Sequence, residues 1–223
     1  ATCGIFTIKP TFGVVPNVTP GRTDAFGHTP MQSAGPMARC VEDAALVLDV
    51  LSGAHPGDPF STPAGERNYL DAIHDNITGL EIALSPNMDL YPIDPRVRAV
   101  VESAASAFEE AGATVSEVTL DFDHSREDIT NAFMRQSNVL TTRFGDQLES
   151  TYDIDITGGD REAVLPYIIE QFEAGQDTSA LAYKNADIVR TDVLDTIEQV
   201  FADYDLLVGS TLMVPPFDKS LLR

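Results

Sequence analysis

Residues 79–84, GLEIAL, and residues 94–120, DPRVRAVVESAASAFEEAGATVSEVTL, decide the fold class. Leu80 to Leu84 is a short apolar run that reads as a strand. Asp94 can then cap a helix whose first position is taken by Pro95, a residue with its φ already set for the helix. Val97, Val100, Val101, Ala104, Ala105, Phe108 and Ala111 fall on one face of that helix, and Gly112 ends it. Thr114 to Leu120 reads as a second strand. Strand, helix, strand in this order implies a right-handed crossover between parallel strands.

On the N-terminal side the first 36 residues hold five prolines and five glycines, too many breakers for a long helix. They read as a looped entry with one short strand at Ile5 to Lys9. From Met37 to Leu51 the positions Met37, Val41, Ala44, Ala45, Leu48 and Leu51 follow helical spacing, with Pro36 in the first turn and Gly53 as the stop. Residues 53–66, GAHPGDPFSTPAGE, form a loop that leads to a short helical stretch near Tyr69 to Ile73.

On the C-terminal side, residues 125–175 read as mostly helical with a break near Asp153 to Gly159 and acidic residues facing solvent. A long helix follows from about Ser179 to Tyr204, with a core stripe of Ala186, Val189, Val193, Ile197, Val200 and Phe201. Asp205 to Val208 reads as a buried strand, and Val214-Pro215-Pro216-Phe217 breaks the pattern. The expected architecture is one α/β domain over residues 1–223, a mixed sheet flanked by helices.

Composition limits the partners. The chain has 223 residues, 43% of them hydrophobic, which suffices for a packed core. Its 35 acidic residues against 14 basic ones leave a net charge of -21, a field that repels phosphate backbones and anionic lipid surfaces. Direct nucleic-acid binding is therefore not expected. No apolar run reaches the roughly 20 residues of a membrane span, and the first 30 residues carry no signal-peptide pattern, so a cytoplasmic location is expected. The lysines are Lys9, Lys184 and Lys219, and the carboxylates are spread along the chain. A dispersed acidic coat with so little lysine suits a cytoplasm of very high salt, where counterions screen the self-repulsion. Cys3 and Cys40 lack metal-site or disulfide spacing and read as small, reduced, buried hydrophobes.

A scan for common catalytic motifs finds no GxGxxG after a strand, no GxxxxGK[ST], no HExxH and no GxSxG. His28, His55, His74 and His124 are scattered among loop-like or polar neighbours, which suits surface or hydrogen-bonding roles. Asp153 with Asp155, and Asp121 with Asp123, could bind a cation through oxygen, but in so acidic a chain they read as solvated surface. Neither a cofactor nor a metal is expected.

The specific feature is a string of phrases in order: CGIFTIKPTFGVVP at 3–16, GPMARCVEDAALVLDVLSGAHPGDP at 35–59, the strand–helix–strand unit, and DYDLLV at 203–208 before STLMVPPF. This series resembles the amidase signature family, whose members hydrolyse linear amides and include the A subunit of tRNA-dependent amidotransferases. The resemblance spans most of positions 1–217. Val14 departs from it, standing where the family usually carries arginine after the KPT-x-G turn. The phrases themselves are scaffold: Pro10 and Gly13 turn the chain out of its first strand, and Gly35-Pro36 precedes an apolar helix.

The resemblance implies a serine nucleophile, a second serine held through a cis peptide, and a lysine that must be neutral to accept a proton. Such a lysine needs burial and neighbouring donors to depress its pKa, and a glycine-rich loop would stabilise the oxyanion. In the family these groups precede the CG-x-x-x-x-KPT phrase. They would lie upstream of Ala1, so no catalytic residue is assigned within 1–223. Lys9 belongs to the KPT phrase and is not the base, and neither Ser33 nor Ser210 sits in a glycine-rich serine loop. The resemblance thus implies a segment lacking both ends of the family fold and inactive alone.

One residue is a candidate substrate contact. The family's Tyr-x-x-Ala-x-x-x-Arg helix appears here as Tyr183, Ala186 and Arg190, and the resemblance implies that Arg190 can read a substrate carboxylate with its guanidinium fork. The preferred alternative is that Arg190 pairs with Asp187 or Asp192 on its own helix. The expected substrate is a small-molecule amide, and a homo-oligomer is compatible with the sequence. Two other functions stay open: the A subunit of a tRNA-dependent amidotransferase, working with partner subunits, and a binding module that kept the fold without the triad.

Overall fold

The computed structural model describes residues 3–18, 25–26, 32–66 and 68–218. The readings at His28 and Lys219 lie outside these residues. The chain divides into two compact units, residues 1–78 with 214–223, and residues 79–213. Among the described residues no helix is long and apolar enough to cross a membrane.

In the first unit, strand β1 (Phe6–Thr7) pairs antiparallel with β2 (Met37–Ala38), Phe6 opposite Ala38 and Thr7 opposite Met37. This corrects the expected helix start at Met37. The Pro36 carbonyl accepts the Ile8 amide at 3.1 Å and the Thr7 hydroxyl at 3.2 Å, so pairing across 29 residues draws Met37 and Ala38 into extended backbone. Gly35 lies against the Ile8 carbonyl, where a Cβ would collide. Helix α1 (Val41–Leu51) begins four residues later than expected, with Cys40 at its cap position. It ends as expected: Ser52 bonds back to the Leu48 carbonyl, and Gly53 follows at φ +133°.

The loop after α1 is held from within. Buried Asp58 accepts the Asn17 amide at 2.8 Å and the Phe60 amide at 2.9 Å. The Thr62 amide donates to the Gly13 carbonyl at 2.9 Å, and the Phe12 and Phe60 rings meet at a tilt of 47° with centres 5.8 Å apart. Helix α2 (Tyr69–Ala72) is capped from α1, because both Asp49 oxygens accept its first amides, Tyr69 at 2.6 Å and Leu70 at 3.1 Å.

The second unit contains the strand–helix–strand unit as read. Strand β3 (Glu81–Leu84) lies between β4 (Thr114–Glu117) and β5 (Leu206–Val208), parallel to both. Central Ile82, Ala83 and Leu84 are buried, as a parallel strand with neighbours on both sides should be. Helix α3 (Pro95–Glu110) connects β3 to β4, and the Asp94 carboxylate accepts the Arg96 amide at 2.9 Å. Its end is a Schellman turn: Ala113 donates to the Phe108 carbonyl, Gly112 donates to that of Glu109, and Gly112 sits at φ +94°. The fold is α/β, with this parallel sheet and the small antiparallel ribbon of the first unit.

Strand β5 is not the buried strand expected from its sequence. Leu206 is exposed and its two successors half-buried, because among the described residues β5 pairs on one side only. The helical stripes are likewise partly bare. On α3 Ala105 is buried, but Val100, Ala104 and Ala111 face outward.

Three helices complete the unit: α4 (Arg126–Tyr152), α5 (Pro166–Gln176) and α6 (Ala180–Phe201), with a 3₁₀ turn at Arg161–Ala163. A reciprocal Ser125–Asp128 capping box starts α4, and Asp153 at φ +57° ends it at the expected break. Two glycines let α4 and α5 approach. Gly145 leaves room for Phe172 and Ile156, and Gly175 lies against the Thr142 hydroxyl and the Asn138 carbonyl. Ser179 caps α6, and of its expected stripe Ala186 is buried, the valines and Ile197 half-buried and Phe201 exposed.

Cys3 and Cys40 are both exposed free thiols, which corrects the expectation of burial. Each lies just outside a regular element, Cys3 before β1 and Cys40 at the cap position of α1.

Candidate functional site

The arginine singled out from sequence lies in a polar cluster between α4 and α6. Helical spacing puts Tyr183, Asp187 and Arg190 on adjacent turns of α6, facing the middle of α4. There Gln136, 1% exposed, organises the group. Its Nε2 donates to Asp187 Oδ1 at 2.7 Å and to the Tyr183 carbonyl at 3.3 Å, while its Oε1 accepts Arg190 Nη1 at 3.1 Å. Arg190 Nη1 also meets Asp187 Oδ1 at 3.3 Å. Of the two carboxylates considered as partners, Asp187 is the one engaged; Asp192 instead meets His124 Nε2 at 2.7 Å.

Lys184 closes the cluster from outside, its ammonium on Asp187 Oδ2. The Lys184 hydrogen bond, then that from Gln136, holds the Asp187 carboxyl below its ordinary pKa. The same contact with Asp187 raises the Lys184 pKa, the reverse of what a proton-accepting lysine requires. Lys9 is exposed, and its ammonium donates to the Pro10 carbonyl at 3.4 Å. Neither described lysine meets a serine in these contacts.

Most of the remaining candidates are engaged locally, and Ser33 is not. Ser210 Oγ meets Met213 Sδ, and Ser125 Oγ donates to Asp128. Ser33 Oγ is buried with no hydrogen-bond partner. His55 Nδ1 accepts the Gly57 amide, and His74 is exposed. Asp155 accepts the Thr157 amide and hydroxyl and the Gly158 amide, bonds that hold its carboxyl below the usual range. An open cleft of about 240 Å³ lies between Val118–Asp121 and the last turns of α6, lined by Thr196, Gln199, Val200 and Tyr204. It holds no nucleophile–base pair.

Sequence reasoning missed Gln136. A glutamine inside a polar helix carries no mark of burial, although Ala132 one turn earlier lies on the same inward face.

The sequence model of the family described as Amidase matches residues 1–222, nearly the whole chain. The chain belongs to the amidase signature family. An acylamidase of Rhodococcus erythropolis is 34% identical over 218 residues, covering 97% of this chain and 43% of the relative. The glutamyl-tRNA(Gln) amidotransferase A subunit of Streptococcus uberis is 31% identical, with coverage of 99% and 47%. Among solved structures, a bacterial aryl acylamidase of the amidase signature family superposes with a TM-score of 0.82 at 27% identity, over 96% of this chain and 42% of that one. The chain thus spans less than half the length of these relatives. What the family resemblance anticipated at fold level is present, in elements that carry the family's scaffold phrases.

Proposed function

We propose that this chain is the scaffold segment of an amidase that cleaves a linear amide C–N bond, and that the attacking serine and its neutral lysine are not among residues 1–223. The observation that carries this reading is the family match over residues 1–222, in a chain whose described lysines are held by a carbonyl and a carboxylate. In the proposed reaction serine attacks the amide carbonyl, the amine or ammonia leaves with a proton, and water hydrolyses the acyl-enzyme. The acylamidase relatives favour an acyl amide as the small-molecule substrate. The proposed setting is the salt-rich cytoplasm of a halophile, supported by the net charge of -21.

Within this segment Arg190 is proposed as a clamp joining α4 to α6 through Gln136 and Asp187, a role supported by both contacts of Nη1. Reading of a substrate carboxylate by Arg190 is the competing role, and substrate selectivity of an Arg190→Lys variant separates the two.

The test is a chimaera in which this chain replaces the matched 218 residues of the Rhodococcus erythropolis acylamidase. Amine release from acyl amides in high salt is expected from the chimaera and not from the 223-residue chain. A folded chimaera without activity would overturn the scaffold reading. The amidotransferase reading draws on the amidotransferase relatives; it predicts glutamine-derived ammonia transfer only when partner subunits are present.

A further inference from the structure

The turn after β3 is held in a backbone conformation that most residues avoid. Met88 at φ +54° and Asp89 at φ +53° are two successive left-handed residues, neither of them glycine. Side chains fix this turn from both ends. Asp89 Oδ2 accepts the Leu120 amide at 2.8 Å, and Asn87 Oδ1 accepts the Asp89 amide at 3.3 Å. Asn87 also holds Tyr91 twice, its Nδ2 donating to the Tyr91 carbonyl at 2.9 Å and its own carbonyl accepting the Tyr91 amide at 3.3 Å. Strain that surrounding contacts keep in place concentrates at functional positions. This turn also lies at the carboxyl end of the central parallel strand, the edge at which open α/β sheets take their ligands.

What the turn positions is Tyr91, on one wall of an open cleft of about 390 Å³. The other wall is a face of α4, where Arg126, Glu127, Thr130 and Asn131 recur at helical spacing. The volume suits a small ligand. Among the described residues none of these five side chains has a hydrogen-bond or ion-pair partner. Arg96, Arg98, Arg161 and Arg190 each meet a carboxylate, whereas Arg126 meets none although acidic residues outnumber basic ones 35 to 14. Arg126 and Glu127 do not neutralise each other, because successive residues of a helix do not face one another.

We propose that this cleft binds a small zwitterion, an α-amino acid, with its carboxylate on the Arg126 guanidinium and the Tyr91 hydroxyl and its ammonium on the Glu127 carboxylate. A simple anion would be repelled by Glu127 and a simple cation by Arg126, so a ligand that carries both charges a few bonds apart is the one that satisfies both walls. The Thr130 hydroxyl and the Asn131 amide supply further polar contacts for either end. The assignment uses no residue of the Arg190 cluster and no step of amide cleavage, so it stands apart from the amidase reading.

The experiment titrates L-alanine into the isotope-labelled 223-residue chain in 3 M KCl and follows the NMR shifts. Saturable shifts are expected at Tyr91, Thr130 and Asn131, and acetate and ethylammonium, with one charge each, should bind at least tenfold more weakly. Arg126→Gln and Glu127→Gln should each weaken L-alanine at least tenfold. Asn87→Ala, outside the cleft, should weaken it as well by releasing Tyr91, while Arg98→Gln on α3 should leave it unchanged; circular dichroism checks that each variant keeps its helices. If the 223-residue chain does not keep its own helices, the same titration on the chimaera decides. Absence of saturable shifts, acetate binding as tightly as L-alanine, or affinity indifferent to Arg126→Gln would overturn the proposal. An inactive chimaera that still binds L-alanine through Arg126 removes the functional reading and leaves this one standing.

Discussion

Helices α4 and α1 treat their two sides differently. On α4 the side facing α5 and α6 is closed by Gly145, by the fit of Thr142 against Gly175, and by buried Gln136, while the long remainder is exposed and mostly polar, with Phe133 and Phe144 bare among the polar residues. On α1 one side is closed by small residues and the other carries bare aliphatics. The inner side of α4 is the finished one, whereas α1, with Val41, Leu46, Val47, Val50 and Leu51 all exposed within eleven residues, is the less finished helix. The difference lies in the share of large apolar side chains left bare, small on long α4 and large on short α1.

The largest effect should come from breaking the finished side. Gly175→Val would place side-chain atoms where the Thr142 hydroxyl and Asn138 carbonyl already sit. Overpacking of this kind costs about 1–3 kcal/mol or more, and urea unfolding in 3 M KCl should show a clearly lower midpoint. A neutral result would mean that α4 and α5 are less tightly joined than the glycine contacts indicate.

Salt acts on both regions. Screening shortens from about 10 Å at 0.1 M to about 3 Å at 1 M, so the midpoint of thermal unfolding should rise strongly between 0.1 and 3 M KCl. A flat curve would remove the salt-adapted reading.

The unfinished side should tolerate what the finished side does not. Val50→Ser removes apolar surface already in water, so the stability of the 223-residue chain should change by no more than about 0.5 kcal/mol. A larger loss would mean that α1 is covered in this chain. In the chimaera, Arg190→Lys should lower turnover of carboxylate-bearing and neutral amides alike, because lysine cannot reproduce the Gln136 and Asp187 contacts of the guanidinium. Loss confined to carboxylate-bearing amides would make Arg190 a substrate contact.

The smallest effect is at the start of α3. Hydrogen bonds from the Arg96 side chain, then its amide, bring the Asp94 pKa from its usual 3.8 down to about 2. A carboxyl lowered in the fold stabilises it above the ordinary value and ceases to do so as pH falls through the lowered one. Chemical shifts of the α3 first turn should therefore titrate near pH 2, and Asp94→Ala should abolish that step.

Local signals carried the second unit well. Asp94, Pro95 and Gly112 each encode a helix end within a few residues, and the apolar run at Leu80 to Leu84 needs no distant partner to be recognised. What failed was non-local. Pro36 is a sound first-turn residue, yet pairing with Ile8 and Thr7 turns the following residues into a strand. The apolar sequence of β5 encodes burial that pairing on one side does not deliver, and the exposed cysteines follow the same logic. For the site, the Arg190–Asp187 pair was legible from spacing on one helix, but Gln136 belongs to a helix 54 residues away in sequence and could not be found that way.

The central claim, as proposed, is that this chain supplies scaffold and no nucleophile, and a serine-directed fluorophosphonate probe tests it most directly. Incubated in 3 M KCl, the 223-residue chain should take up no covalent label, while the chimaera should be labelled at a serine outside the grafted segment. Stoichiometric labelling of a serine within the 223 residues, mapped by peptide mass, would contradict the claim.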